Sequence, residues 1–118
     1  MAWNAILIGS NLKVSVVIEP YKDMMDIHLE KVDNALYENL KFGINYRVFV
    51  DDEWIPIVRY DNHLHKKTSG KHLHRIDRDW ESPDTIDMTL TEARKFVEEL
   101  GRELRVMVVK SYENKNSL

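Results

Sequence analysis

The sequence predicts an α+β domain: a mostly antiparallel β-sheet of five to six strands with one principal amphipathic helix packed on one face. Three observations predict it. Short Val/Ile-rich segments with alternating polarity fill the first two thirds of the chain, each bounded by turn residues. A capped apolar stripe at helical spacing follows near the C-terminus. The 118 residues are 43% hydrophobic, enough for one core, so a single domain over 1–118 is expected, with residues 113–118 as a frayed tail.

The segment Leu12 to Glu19 reads as a strand, punctuated by Pro20-Tyr21-Lys22-Asp23. Met25, Ile27 and Leu29 then alternate with Asp26, His28 and Glu30, a half-buried strand running to about Val32, with a loop or short helix after it. His28 falls on its polar side and reads as solvated. Ile44 to Val50 is a third strand, Asp51-Asp52 a hairpin turn and Trp54 to Tyr60 a fourth strand. Pro56 lacks an N–H for a ladder, so this strand is expected at an edge or with a bulge. Ser82-Pro83-Asp84 reads as loop. Thr89 and Glu92 have capping-box spacing, and Leu90, Ala93, Phe96, Val97 and Leu100 form a helical stripe that Gly101 is expected to stop. The apolar run Leu104 to Tyr112 then reads as a last strand inside the sheet.

Four of the five histidines form two His-Leu-His units, His63-Leu64-His65 and His72-Leu73-His74, around Lys66-Lys67-Thr68-Ser69-Gly70-Lys71. In a hairpin centred between Thr68 and Ser69, His65 faces His72, His63 faces His74 and Leu64 faces Leu73, which puts four imidazoles on one face and two leucines on the other. Two chemistries fit this set, and a surface role with no chemistry is the third reading. His63, His65, His72 and His74 have the type and number of ligands for zinc or another divalent metal, with Asp61 as a further ligand or an orienting acceptor. Alternatively the imidazoles act as acid and base on a phosphodiester, with Lys71, Arg75 or Arg59 stabilising charge on phosphorus and no cofactor required.

Composition narrows the classes. With no cysteine, disulfides and thiolate metal sites are excluded and a cytoplasmic location is expected. The longest apolar runs are too short for a membrane span, and no export signal is expected. A net charge of −3 argues against nucleic-acid binding by overall charge. Locally, His63 to Ile76 carries Lys66, Lys67, Lys71 and Arg75 and no acid, while Asp77 to Asp87 is acid-rich. Tyr46, Trp54, Tyr60 and Trp80 could stack on bases, although Trp54 and Tyr60 are expected to pack against the sheet or helix. No phosphate-binding glycine loop, serine-hydrolase elbow or thiol nucleophile is present.

Taken in order, Asn45-Tyr46-Arg47-Val48-Phe49-Val50, Ile57-Val58-Arg59-Tyr60-Asp61-Asn62 and Gly70-Lys71-His72-Leu73-His74 resemble the TumE-type family of small prokaryotic toxin-like proteins. That family has a Tyr-Arg strand, an Arg-Tyr-Asp-Asn strand end, a Gly-Lys turn with His-x-His after it, and a helix near the C-terminus. The resemblance covers about residues 44 to 100. Arg59, Tyr60, Asp61, Asn62, Lys71, His72 and His74 match the polar motif. The chain departs from the pattern in its extension beyond the helix and in Lys66-Lys67-Thr68-Ser69 at the turn. The resemblance implies a toxin of a toxin–antitoxin pair acting on RNA, with an antitoxin protein as partner. The catalytic residues expected are then His72, His74, His63, Arg59 and Lys71, with Tyr60, Asn62, Arg75 and Lys67 binding substrate. The alternative is a non-catalytic metal-binding or protein-interaction domain, for which a homodimer contact is one role of the histidines.

Overall fold

A computed structural model of the chain describes residues 11–33, 40–63 and 70–116. Six antiparallel strands lie in chain order, β1 (Asn11–Ile18), β2 (Asp23–Lys31), β3 (Leu40–Val50), β4 (Glu53–Asp61), β5 (His72–Arg75) and β6 (Asp84–Thr85), followed by one helix, α1 (Leu90–Asn116). The α+β expectation is therefore met by a meander with a helix across β3 and β4. The sixth strand is the short Asp84–Thr85 segment, which was expected to be loop.

Alternation along each strand sorts side chains to two faces. Met25, Ile27 and Leu29 of β2, Phe42, Ile44, Tyr46 and Val48 of β3, Val58 and Tyr60 of β4 and Leu73 of β5 join Ala93, Val97, Leu100, Leu104 and Val108 of the helix in one buried core. The opposite face carries the polar partners of those positions: Ser15, Asp26, His28, Gly43, Asn45, Arg47, Arg59, Asp61, His72 and His74. No strand or helix packs along that face among the described residues, although its end at Asp61, His72 and His74 is buried.

Two turn readings hold for physical reasons. Asp51 and Asp52 have φ of 54° and 63°, the left-handed pair that a two-residue hairpin needs to match strand twist. Pro56 lies beside a bulge, not at an edge: Tyr46 pairs with Val58 and Arg47 with Pro56, which leaves Ile57 as the extra residue. The ladder to β5 begins only at Val58, so Pro56 needs no hydrogen-bond partner on that side. The bulge also buries Ile57 and Val58 consecutively.

The end of the chain differs from expectation. Leu104 to Tyr112 is not a strand; the helix runs through Gly101 for 27 residues. Leu104, Val108 and Tyr112 recur every four residues and continue the stripe of Ala93, Val97 and Leu100, a helical period hidden by the β-branched run around them. Gly101 is a point of close approach. A methyl group there would fall within the van der Waals radius of the Tyr46 ring, so glycine lets the helix lie flat on β3. The second half of α1 is also tied down by polar contacts: Arg105 Nε donates to Asp23 Oδ2 at 2.8 Å, and Arg102 Nη1 donates to the Glu19 carbonyl at 2.7 Å. The capping box at the start is formed as expected, with Thr89 N–H donating to Glu92 Oε1 at 3.0 Å and Glu92 N–H to Thr89 Oγ1 at 3.2 Å.

Gly101→Ala separates these roles. At an ordinary interior helix position the change stabilises by about 1 kcal/mol; here overpacking against Tyr46 costs about 1–3 kcal/mol and outweighs the gain. Urea denaturation is expected to show a lower midpoint, and a higher one would rule out the close approach.

Candidate functional site

The β4–β5 ladder pairs Asp61 with His72, Tyr60 with Leu73, Arg59 with His74 and Val58 with Arg75. This corrects the expected hairpin. His72 faces Asp61 and not His65, and His74 faces Arg59 and not His63. The reason lies in Asp61 and Asn62. Asp61 Oδ1 accepts the backbone N–H of His63 at 3.0 Å, a turn closed by its own side chain that ends the strand. Asn62 turns toward β3, accepting the Phe42 N–H at 2.9 Å and donating to the Leu40 carbonyl at 2.7 Å. The expected face of four imidazoles is thus replaced by a carboxylate flanked by two, with His63 beside it. Leu64, His65 and Lys67 lie outside the described residues. Leu73 faces the core, as the alternation required.

Asp61 is the hub. Its carboxylate is 1% exposed, Arg59 Nε donates to Oδ2 at 2.6 Å, His72 Nε2 lies 2.9 Å from Oδ1, and His74 Nε2 lies 3.8 Å from Oδ2. Burial works to raise the Asp61 pKa, but the charge and hydrogen bond of Arg59, the His63 N–H and His72 outweigh it and hold the group below the ordinary carboxylate value. Gly43 makes room for this arrangement, because a Cβ there would sit 2.9 Å from Arg59 Nη2.

The two partner imidazoles are enclosed. His72 is fully buried, and its ring stands edge-on to that of His74, with centroids 5.2 Å apart. His74 Nδ1 is 2.7 Å from the Trp80 carbonyl, and the Trp80 ring stacks at 5.4 Å. A carbonyl can only accept, so His74 carries its proton on Nδ1, and in the neutral form the Nε2 lone pair turns toward Asp61. Asp61, His72 and His74 together could hold a metal: one donor atom from each lies within 4.8 Å of the others, and all three residues are buried. Ligands about 2.0–2.1 Å from a tetrahedral ion stand roughly 3.3 Å apart. The contacts of 2.9 and 3.8 Å to Asp61 bracket that spacing.

His63 and His28 stand toward the open side. His63 is half-buried, and Arg59 Nη2 approaches its Nδ1 at 3.4 Å. Desolvation lowers the His63 pKa, opposed by Asp61 and reinforced by Arg59, Lys41 and His28. His28, expected to be solvated, is also half-buried with a pKa lowered first by desolvation. It lines a concavity of about 400 Å³ with Lys13, Ser15, Asp26, Gly43, Asn45 and Arg59. Sequence reasoning missed Gly43, the place of Trp80 against His74 and this concavity, because each depends on which segments become neighbours.

The remaining expected residues are placed as follows. Tyr60 is fully buried on the helix face, where its hydroxyl donates to the Ile86 carbonyl at 2.7 Å and accepts the Met88 N–H at 2.9 Å. Asn62 is buried in its clamp on β3. Lys71 Nζ donates to Asp87 Oδ1 at 2.8 Å and Arg75 pairs with Asp77 at 2.9 Å. With Arg78 paired to Asp84, the basic and acidic stretches of the sequence fold onto one another. The structure therefore brings together Arg59, Asp61, His63, His72 and His74, and sets Tyr60, Asn62, Lys71 and Arg75 around them as struts.

No family model, no curated protein and no solved structure shows a significant match to the chain. Among the described residues, no helix is long and apolar enough to cross a membrane.

Two predictions come from this geometry. His72→Ala removes one side of a buried charged contact and is expected to destabilise the fold by about 3–5 kcal/mol, read from denaturant midpoints; an unchanged midpoint would show that the Asp61 contact contributes nothing. His63 and His28 have lowered pKa values, so the unfolded chain binds protons more readily than the folded one. Their contribution is complete above the ordinary histidine value of 6.5 and is lost as pH falls through their lower folded values. The melting temperature is expected to drop between pH 7 and 5, less steeply in His63→Gln, and parallel slopes for the two proteins would remove His63 as a cause.

Proposed function

We propose that the protein is a toxin-like ribonuclease acting on RNA phosphodiesters through the site organised by Asp61. The observation that carries this reading is that one buried carboxylate gathers Arg59, His63, His72 and His74 at the side of a cation-lined sheet face. The resemblance to the TumE-type family adds the toxin setting and an antitoxin partner, since Arg59, Asp61, His72 and His74 are residues of its motif.

The chemistry follows from position. Arg59 is one-third exposed beside the concavity, with its guanidinium oriented by Asp61, so it can meet a phosphate and stabilise charge as phosphorus becomes five-coordinate. His63, neutral at pH 7 because desolvation lowers its pKa, takes the proton of the ribose 2′-hydroxyl. The 2′-oxygen bonds to phosphorus, the bond from phosphorus to the 5′-oxygen breaks, and His74, less enclosed than His72 and acting as the imidazolium with protons on both nitrogens, gives its Nε2 proton to that oxygen. The products are a 2′,3′-cyclic phosphate and a 5′-hydroxyl. His72 positions Asp61 and needs no access of its own.

A second reading has its own observation. The three buried donor atoms, with His74 oriented by the Trp80 carbonyl, suit zinc or another divalent metal held by Asp61, His72 and His74. Such an ion would act as a Lewis acid or hold the β4–β5 end together. A cytoplasmic location belongs to the toxin reading, where the RNA substrate resides.

Purified protein incubated with total RNA on a denaturing gel tests the first reading. Cleavage is expected to fall by about 100- to 10,000-fold in His63→Ala and about 100- to 1,000-fold in Arg59→Ala, with little change in melting temperature for His63→Ala. No cleavage by the unaltered protein sinks the ribonuclease. Metal analysis tests the second reading: one equivalent of zinc, lost in His74→Ala, and a lower melting temperature with chelator are expected. Metal-free protein that gains no stability on zinc titration excludes that centre.

A further inference from the structure

The open sheet face carries a second feature that the site around Asp61 does not use. At the β3–β4 hairpin, Phe49 and Trp54 form a cross-strand pair with ring centroids 5.1 Å apart, and they remain 52% and 39% exposed. Trp54 was expected to pack against the sheet or helix, and its position on the uncovered face is a finding of the structure. The Arg47 guanidinium lies 4.6 Å from the Trp54 ring centroid and is held there by Asp26, whose Oδ2 accepts from Arg47 Nε at 2.7 Å. Because Gly43, Asn45, Arg47 and Phe49 alternate along β3, the aromatic pair shares a face with Arg59 and the concavity.

We propose that single-stranded RNA lies along this face, with a base stacked on Trp54 and Phe49 and its backbone running over Lys13, Asn45 and Arg59. This rests on the ribonuclease reading and names how that site would take its substrate. Six residues of β3 separate Phe49 from Gly43, a span of about 20 Å at 3.3–3.4 Å per residue, enough for several nucleotides. The chemistry is that of single-strand binding: an exposed aromatic platform accepts any base by its π-face, and cations beside it track the phosphates. The charges fit. Lys13 lines the concavity beside Arg59, whose charge the buried Asp61 offsets, while Asp26 is neutralised by Arg47 and accepts from Ser15 Oγ at 2.6 Å, which leaves the charge of Lys13 in excess among these groups. At one end of the face Trp80 covers His74.

The test is fluorescence anisotropy of a labelled twelve-nucleotide 2′-O-methyl RNA, which cannot undergo 2′-attack, beside the same sequence as a duplex. Trp54→Ala and Phe49→Ala are each expected to weaken binding about 5- to 100-fold with unchanged melting temperature, and Trp54→Phe to restore most of it. Lys13→Ala is expected to reduce the slope of log affinity against log salt by about 0.7, the value for one phosphate contact on a single strand. Unaltered affinity in both aromatic variants overturns the inference and leaves the ribonuclease intact. Absence of both binding and cleavage by the unaltered protein overturns the two together. A change of oligomeric state in Trp54→Ala by sedimentation, with RNA affinity retained, assigns the patch to a second copy of the chain instead.

Discussion

A carboxylate removed from water must be compensated, and Asp61 shows what that requirement does to a small sheet. Its neutralisation needs Arg59 from its own strand, His72 and His74 from the next and the His63 N–H from the following turn. Each of those contacts also fixes backbone: the ladder register of β5, the end of β4 and the path of the chain toward residue 64. A buried charge of this kind is costly to leave incomplete, so the arrangement is held as a unit.

The helix face repeats the device. Asp23 is 2% exposed, and its Oδ2 accepts from the Tyr46 hydroxyl at 2.6 Å and from Arg105 Nε at 2.8 Å. Tyr46 has its pKa raised, first by desolvation and then by the bond to Asp23, so it stays a neutral donor. The ring of that tyrosine is the surface on which Gly101 rests. One aspartate therefore ties the far half of α1 to β2, while Asp61 ties β5 to β4 on the other side of the sheet. The sheet between them carries both the Asp61 cluster and the aromatic pair.

That display divides the molecule functionally. The helix covers β3 and β4 on one face, and the strand alternation that buries Ile44, Tyr46 and Tyr60 against it pushes Asn45, Arg47 and Arg59 to the other. Polar residues of β4, β5 and the turn after β4 split along the same line. Arg59, Asp61, His72 and His74 meet on the open face, whereas the Tyr60 hydroxyl holds the Ile86–Met88 approach to the helix and Asn62 holds the start of β3. Residues near one another in sequence are thus two groups in space, one gathered around Asp61 and one that holds adjacent backbone.

Local sequence by itself determined the strands from Leu12 to Tyr60, the Asp51-Asp52 turn, the disturbance at Pro56 and the Thr89–Glu92 cap, because alternation, left-handed turn residues, a missing N–H and capping hydroxyls act within a few residues. It also determined that His72 and His74 share a face. The tertiary structure alone decided the register of β5, since the expected hairpin put His65 opposite His72 where the structure has Asp61, and the bonds of Asn62 to the distant backbone of Phe42 and Leu40 help to settle it. It alone decided that Gly101 is a contact and not a stop, because a glycine's meaning depends on what passes above it. The hub at Asp61 became visible only when His72 and His74 were known to be its neighbours in space, since a buried charge is defined in part by partners that the linear order keeps apart.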